Sequence, residues 1–247
     1  MNNIDVKKIV GPTPHMTLGQ AELLTSFMEE HQVQNILELG FAHGVSTSYM
    51  AAALGRTSGG SIVTIDRERA RQREPNIETL LDRIGESDRV TTYYEPTSYN
   101  WRLMKFLEQE PQPQFDLCYL DGAHNWLVDG LAFFLIHRLL KPGGWIIFDD
   151  LNWSYAKSPA LKNTPFVKNM PAEERETHQV RKIYELLVKT HPDFCNFKDD
   201  GCWAYAQKCS TPNNDGQERK VVVEKIIHKE YYGVGQFLEK LGKRFTK

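Results

Sequence analysis

The sequence of 247 residues predicts an α/β fold, a mostly parallel sheet with helices on both faces, and three observations carry that prediction. Short apolar runs alternate with helix-like segments five times in succession, the signature of parallel strands joined by crossover helices. An acid stands at or just beyond the end of every run: Glu38, Asp66, Glu95, Asp121, and Asp149 with Asp150. Two further strand-like runs, 193–198 and 201–208, are joined by a DDG turn, which predicts an antiparallel hairpin at one edge.

In chain order, residues 1–16 read as an irregular N-terminal arm kept extended by Pro12 and Pro14. Thr17 and Gln20 have capping-box spacing and open an amphipathic helix through His31. Asn35–Leu39 is the first buried strand, Gly40 and Gly44 bracket a tight turn, and Ser46 and Thr47 open a helix. Ser61–Asp66 is the second strand; Ile77, Leu80, Leu81 and Ile84 then form a helical stripe. Arg89–Tyr94, Phe115–Asp121 and Trp145–Asp150 are the next three strands, with helices at Tyr99–Glu108 and Trp126–Leu140 between them and KPGG as a sharp turn. Residues 151–172 lack periodicity and read as a lid or substrate loop within a domain of residues 17–208. Glu173–Thr190 reads as one helix, and 209–247 as a linker followed by an amphipathic helix at Val221–Phe245.

Composition narrows the function classes. A formal charge of −2 and a pI near 6.5 give no reason to expect nucleic acid or an anionic membrane as partner. No run approaches the length of a membrane span, and the N-terminus lacks a secretory apolar core, so a cytoplasmic location is expected. Cys118, Cys195, Cys202 and Cys209 include no CxxC pair, so all four read as reduced and structural rather than as zinc ligands. The arm and the tail leave a homodimer open.

In a parallel sheet, ligands bind beyond the strand C-termini, so the acids at those ends share one rim. The stretch Asn35–Ser48, NILELGFAHGVSTS, is central. Its glycines allow close approach of a ligand to the backbone, and a helix N-terminus follows. Glu38 would repel phosphate but attract an ammonium group or a ribose hydroxyl. The GxGxxG positions are Gly40, Ala42 and Val45, which disfavours a pyrophosphate cofactor. Asp66 suits a ribose diol, with capping of the following segment as the alternative.

With ILELGFAHGVST, IVTID, FDLCYLDGAH and LLKPGGWIIFDD in hand, the chain resembles the class I S-adenosylmethionine-dependent methyltransferases over residues 17–208. The resemblance implies a Rossmann-like doubly wound sheet of strand order 3-2-1-4-5-7-6. It also implies cofactor contacts at Glu38, Gly40, Gly44, Ser46, Asp66 and Asp121. GxxxGxST is similar to the macrocin-type O-methyltransferases.

Asp121, Asp149 and Asp150 would repel one another unless protonated or neutralised by a cation, and an all-oxygen set favours a hard ion such as Mg²⁺. The same pattern resembles the metal-dependent catechol and caffeoyl-CoA O-methyltransferases, although Asp150 stands where those have an asparagine. His124 matches the position of their base, and an imidazole suits removal of a hydroxyl proton near neutral pH. Its alternative is a helix cap. Asn125 and Asn152 are secondary candidates, and Trp126, Trp153 and Tyr155 are candidate walls for a ring-shaped acceptor.

The expected function is metal-assisted O-methylation of a small-molecule hydroxyl on a sugar, catechol or natural product. A metal-free O- or N-methyltransferase is the second reading. A nicotinamide-dependent oxidoreductase or a non-catalytic cofactor-binding protein is the third.

Overall fold

A computed structural model describes residues 1–57 and 59–210. Seven strands form one sheet in the order β3-β2-β1-β4-β5-β7-β6. They are β1 (Asn35–Leu39), β2 (Ser61–Arg67), β3 (Val90–Glu95), β4 (Phe115–Leu120), β5 (Leu140–Phe148), β6 (Phe194–Asp199) and β7 (Ala204–Lys208). The first five pair in parallel, and β7 runs antiparallel to both β5 and β6. The expected α/β class, strand order and edge hairpin are all present.

Strand periodicity sorts the core into two layers. Ile36, Ile62, Leu117, Tyr119 and Ile147 face one way, onto α1 (Asn3–Val10), α2 (Leu18–Glu30), α3 (Val45–Arg56) and α4 (Ile77–Ile84). Leu37, Leu39, Ile65, Cys118, Leu120, Ile146 and Phe148 face the other way. They meet α5 (Tyr99–Leu107), α6 (Trp126–Leu139) and a later helix, Gln179–Ile183. With both faces covered, the central strands can be apolar throughout, as their sequences are.

Three expectations about elements need correction. The N-terminal arm is not irregular: Asn2 accepts a bond from the Asp5 N–H and caps α1, whose Val6 and Val10 are buried. KPGG is no free turn, because β5 runs through it, with a register irregularity between Phe115 and Leu117. The helix expected over 173–190 is broken into two short helices, Ala172–Glu176 and Gln179–Ile183, and a π-helical turn at Tyr184–Val188. Gln179 stabilises the break, since its side chain accepts from the Trp126 N–H and donates to the Glu174 carbonyl. The capping box at Thr17 and Gln20 is present. The linker and helix expected beyond residue 210 lie outside the described residues. Among the described residues, no helix is long and apolar enough to cross a membrane.

Candidate active site

The chain reverses its direction of travel across the sheet between β1 and β4, which opens a crevice at their C-terminal ends. Two turns line it, Gly40–Gly44 after β1 and Asp121–Asn125 after β4. The ladder continues past the strands to hold them: Gly40 N–H bonds the Ile65 carbonyl at 2.8 Å, and Asp121 N–H bonds the Leu39 carbonyl at 2.9 Å. Asp149 N–H bonds the Leu120 carbonyl at 3.0 Å and brings the end of β5 alongside.

The glycines have a steric reason beside the expected one. A Cβ on Gly40 would lie 2.0 Å from the Asp121 carbonyl oxygen, and one on Gly44 would lie 2.5 Å from the Ile77 side chain. Both glycines have positive φ, +91° and +89°, where only glycine sits without strain. They are required by protein packed against protein, before any ligand arrives.

The acids divide into two groups. Glu38 is fully buried and accepts from the hydroxyls of Ser46, Thr47 and Thr64 at 2.5–2.6 Å. Burial pushes its pKa up to about 7, against the pull of those three donors. Together Glu38 and Ser46 fasten β1 to the start of α3. Glu95 is also turned inward, into an ion pair with Arg102 at 2.6 Å. Asp66 lies at the crevice, and its Oδ2 accepts the N–H groups of Phe41 (3.1 Å) and Ala42 (2.8 Å). It therefore shapes the turn, leaving Oδ1, which takes the Arg67 N–H, as the oxygen with spare capacity.

The expected all-oxygen cluster of Asp121, Asp149 and Asp150 is not what the structure brings together. Asp149 is buried, accepts from the Tyr119 hydroxyl, and takes the Asp150 N–H on its other oxygen. Burial, with Asp121 nearby, pushes its pKa up to about 7. His124 takes its place: Nε2 lies 3.1 Å from Asp121 Oδ1 and 3.5 Å from Asp150 Oδ2. Ligand atoms of Asp121, His124 and Asp150 all lie within 4.8 Å of one another. Burial alone would lower the His124 pKa, but the hydrogen bond and charge of Asp121, with Asp150 and Asp149, hold it above the ordinary histidine value.

His124 does not cap α6, a role that Asn125 fills by accepting from Val128 N–H. Backbone φ is +55° at His124, +56° at Asp150 and +50° at Ala42, values uncommon outside glycine. Three such residues around one crevice mark it as a place where surrounding contacts override local preference.

Asp129 and Tyr99 were not anticipated. Asp129 is buried in the first turn of α6, accepts from the Tyr99 hydroxyl, and takes the N–H groups of Ala123 (3.3 Å) and Asn125 (3.1 Å). Burial pushes its pKa up to about 7. It thus braces the turn carrying His124. A signal was available, because Asp129 is the single charge in the apolar run Trp126–Ile136.

Of the aromatic candidates, Trp153 meets the His124 ring at 5.0 Å, Tyr155 meets Trp153 at 4.9 Å, and Phe166 meets Tyr155 at 5.8 Å. Asn152 instead bonds the Gly201 carbonyl and Arg181, bracing the insertion from outside.

Comparison with known proteins agrees with this geometry. Residues 37–151, which span β1 to the end of β5 and both turns, match the methyltransferase domain family. That stretch is therefore similar to a methyltransferase domain, and the match covers a little under half of the chain. Among curated proteins, the chain is 30% identical over 152 residues to the O-methyltransferase hkm8 of Aspergillus hancockii, covering 60% of this chain and 54% of that protein. It is 32% identical over 78 residues to the methyltransferase str2 of Strobilurus tenacellus, covering 29% of this chain and 26% of that one. The chain thus spans about half the length of the first relative and about a quarter of the second.

Solved structures share the fold, two of them as follows. The Bacillus cereus O-methyltransferase in complex with S-adenosylhomocysteine matches with TM-score 0.60 and 20% identity, over 83% of this chain and 90% of that one. TomG from Streptomyces achromogenes, an O-methyltransferase of tomaymycin synthesis in complex with S-adenosylmethionine, matches with TM-score 0.59 and 20% identity, over 84% and 89%.

Proposed function

We propose that this protein is an S-adenosylmethionine-dependent O-methyltransferase acting on a small-molecule hydroxyl, with a divalent ion beside the acceptor. The observation that carries the reading is the grouping of Asp121, His124 and Asp150 at the switch point, one turn away from the glycine-bracketed crevice. The O-methyltransferase relatives support the same reaction class.

The crevice suits the cofactor's chemistry. Asp66 and Asp121 stand on either side of the glycine turn and offer carboxylate oxygens to a ribose diol and to an ammonium group. When bound, S-adenosylmethionine supplies a methyl already activated by its positive sulfur. The protein's remaining tasks are alignment and production of the nucleophile. His124 serves the second task. In the neutral ring whose Nε2–H is donated to Asp121, Nδ1 is the basic nitrogen, and the carboxylates on the Nε2 side stabilise the imidazolium once the hydroxyl proton is taken.

Two carboxylates with an adjoining imidazole fit a hard divalent ion such as Mg²⁺, held by Asp121 and Asp150, with Asp149 supporting from behind. Such an ion would lower the pKa of a bound hydroxyl. Trp153, against His124, forms the neighbouring wall for the acceptor.

The test is methyl transfer to a panel of diols in Mg²⁺ and in EDTA, with wild type and His124→Ala. Activity lost in chelator and restored by Mg²⁺ supports the ion. Full activity in EDTA removes it, and unchanged turnover in His124→Ala removes the base.

A further inference from the structure

Between α1 and α2 the chain passes through Gly11–Thr17, GPTPHMT, and one residue there is bent against its type. His15 has φ +90°, a left-handed value that a side-chain-bearing residue adopts only when its surroundings impose it. The surroundings are firm: Thr13 and Met16 are buried, and the Thr13 hydroxyl bonds the Val10 carbonyl at 2.6 Å. His15 itself is exposed. Its ring lies on that of His43, with centroids 5.7 Å apart and planes 26° from parallel.

His43 belongs to the turn after β1 and has both nitrogens occupied. Nδ1 meets the Pro75 carbonyl at 2.7 Å, and Nε2 lies 3.3 Å from Arg73 Nη1. A carbonyl only accepts and a guanidinium only donates, so His43 is the tautomer protonated on Nδ1. Its capacity is spent on fixing the platform. His15, by contrast, makes no hydrogen bond through either ring nitrogen among the described residues. Arg73 has no acidic partner there either; its remaining N–H groups are uncommitted. Partial burial of the ring and the charge of Arg73 hold the His15 pKa below its ordinary value, while Asp121 and Asp66 pull the other way. The imidazole therefore stands within electrostatic reach of both acids that flank the crevice.

The mouth thus combines two acids with two nitrogen-bearing side chains, neither of which is hydrogen-bonded to an acid among the described residues. The acids match the ribose and the ammonium of an adenosyl amino acid, and what remains unmatched on such a ligand is its carboxylate. We propose that His15 and Arg73 close over the amino-acid end of the bound cofactor and donate N–H groups to its α-carboxylate. This rests on the cofactor reading above. The residues responsible come from the segment before α2 and from the segment between β2 and α4, outside the glycine turn itself.

The test uses the full chain and two probes in calorimetry: S-adenosylhomocysteine, and 5′-methylthioadenosine, which keeps the nucleoside thioether but lacks the amino-acid end. His15→Ala and Arg73→Ala should each weaken S-adenosylhomocysteine about tenfold, the range for a charge-assisted hydrogen bond, and leave 5′-methylthioadenosine within about twofold. Unchanged melting temperatures for both apo variants should accompany this result. Undiminished S-adenosylhomocysteine affinity in both variants overturns the proposal. So does an equal loss for both probes, which would make the segment a general cover. If the wild type binds neither probe, the cofactor reading itself fails and takes this inference with it.

Discussion

Replacing Gly40 with alanine tests whether the two halves of the site share a wall. The added Cβ would stand 2.0 Å from the Asp121 carbonyl oxygen, 2.7 Å from its carbon and 2.9 Å from Gly122 Cα, all backbone atoms that no rotamer change can move. Ordinary contact begins at 3.4 Å, so the Asp121 turn would have to retreat by about 1.4 Å. Left-handed φ costs alanine about 1–2 kcal/mol. Overpacking adds about 1–3 kcal/mol, and straining the Asp121 N–H to Leu39 bond about 1 kcal/mol more. The sum is roughly 3–6 kcal/mol. Gly201→Ala is a matched control, because φ there is +92° and nothing lies within 4 Å of its Cβ, so it isolates the backbone cost of about 1–2 kcal/mol. Urea unfolding of both variants should separate them by about 2–4 kcal/mol, and Gly40→Ala should also lose divalent-ion affinity. A separation under about 1 kcal/mol would refute the shared wall.

Four further outcomes follow from the same geometry. Asp121→Asn and Asp150→Asn should each weaken Mg²⁺ or Mn²⁺ binding at least about tenfold, whereas Asp149→Asn should change it by less than about threefold; equal losses in all three would restore the all-oxygen set. His124→Ala should lower turnover by about 10²–10⁴-fold while leaving S-adenosylhomocysteine affinity intact, as single-turnover kinetics and calorimetry would show. Glu38 has a folded pKa raised from 4.5 to about 7, so its contribution to stability is fully present below about pH 4.5 and is lost as pH rises through about 7. Unfolding free energy of the wild type minus that of Glu38→Gln should therefore fall by about 3 kcal/mol between pH 4 and pH 8, and a flat difference would show that the group ionises equally in both states. Tyr99→Phe leaves buried Asp129 short of a donor and should cost about 1–3 kcal/mol in chemical denaturation; a neutral result would mean that the Ala123 and Asn125 N–H groups suffice.

Much of the scaffold was readable because strands buried on both faces need apolar runs, and parallel strands need crossover helices between them. Thr17 and Gln20, the β1 to β5 alternation and the edge hairpin all follow from such local rules. The site was readable only as a set of residue types. Sequence puts acids at the strand ends, but it does not say whether a side chain follows the crevice or the core, and one residue of phase decides that. Glu38 and Asp149 fell on the inward phase, where hydroxyls of Ser46, Thr47, Thr64 and Tyr119 receive them. Asp150 escaped through a positive φ that nothing in its neighbours announces. Asp129 and Arg73 were overlooked because each has a partner thirty positions away in sequence, Tyr99 and His43. The break at Thr177 and His178 was missed for a similar reason, since Gln179 binds α6 from fifty-three positions away.

The left-handed bends at Ala42, His124 and Asp150 bear on how this protein would respond to directed evolution. Each bend favours glycine or asparagine over the resident side chain, by about 1 kcal/mol or somewhat more. A library screened for heat tolerance alone would therefore drift toward glycine or asparagine at these three positions and grow sturdier while shedding His124 and Asp150, the groups proposed for catalysis. Screening the same library for turnover should hold His124 and Asp150 in place, so the two selections would part company at those codons first.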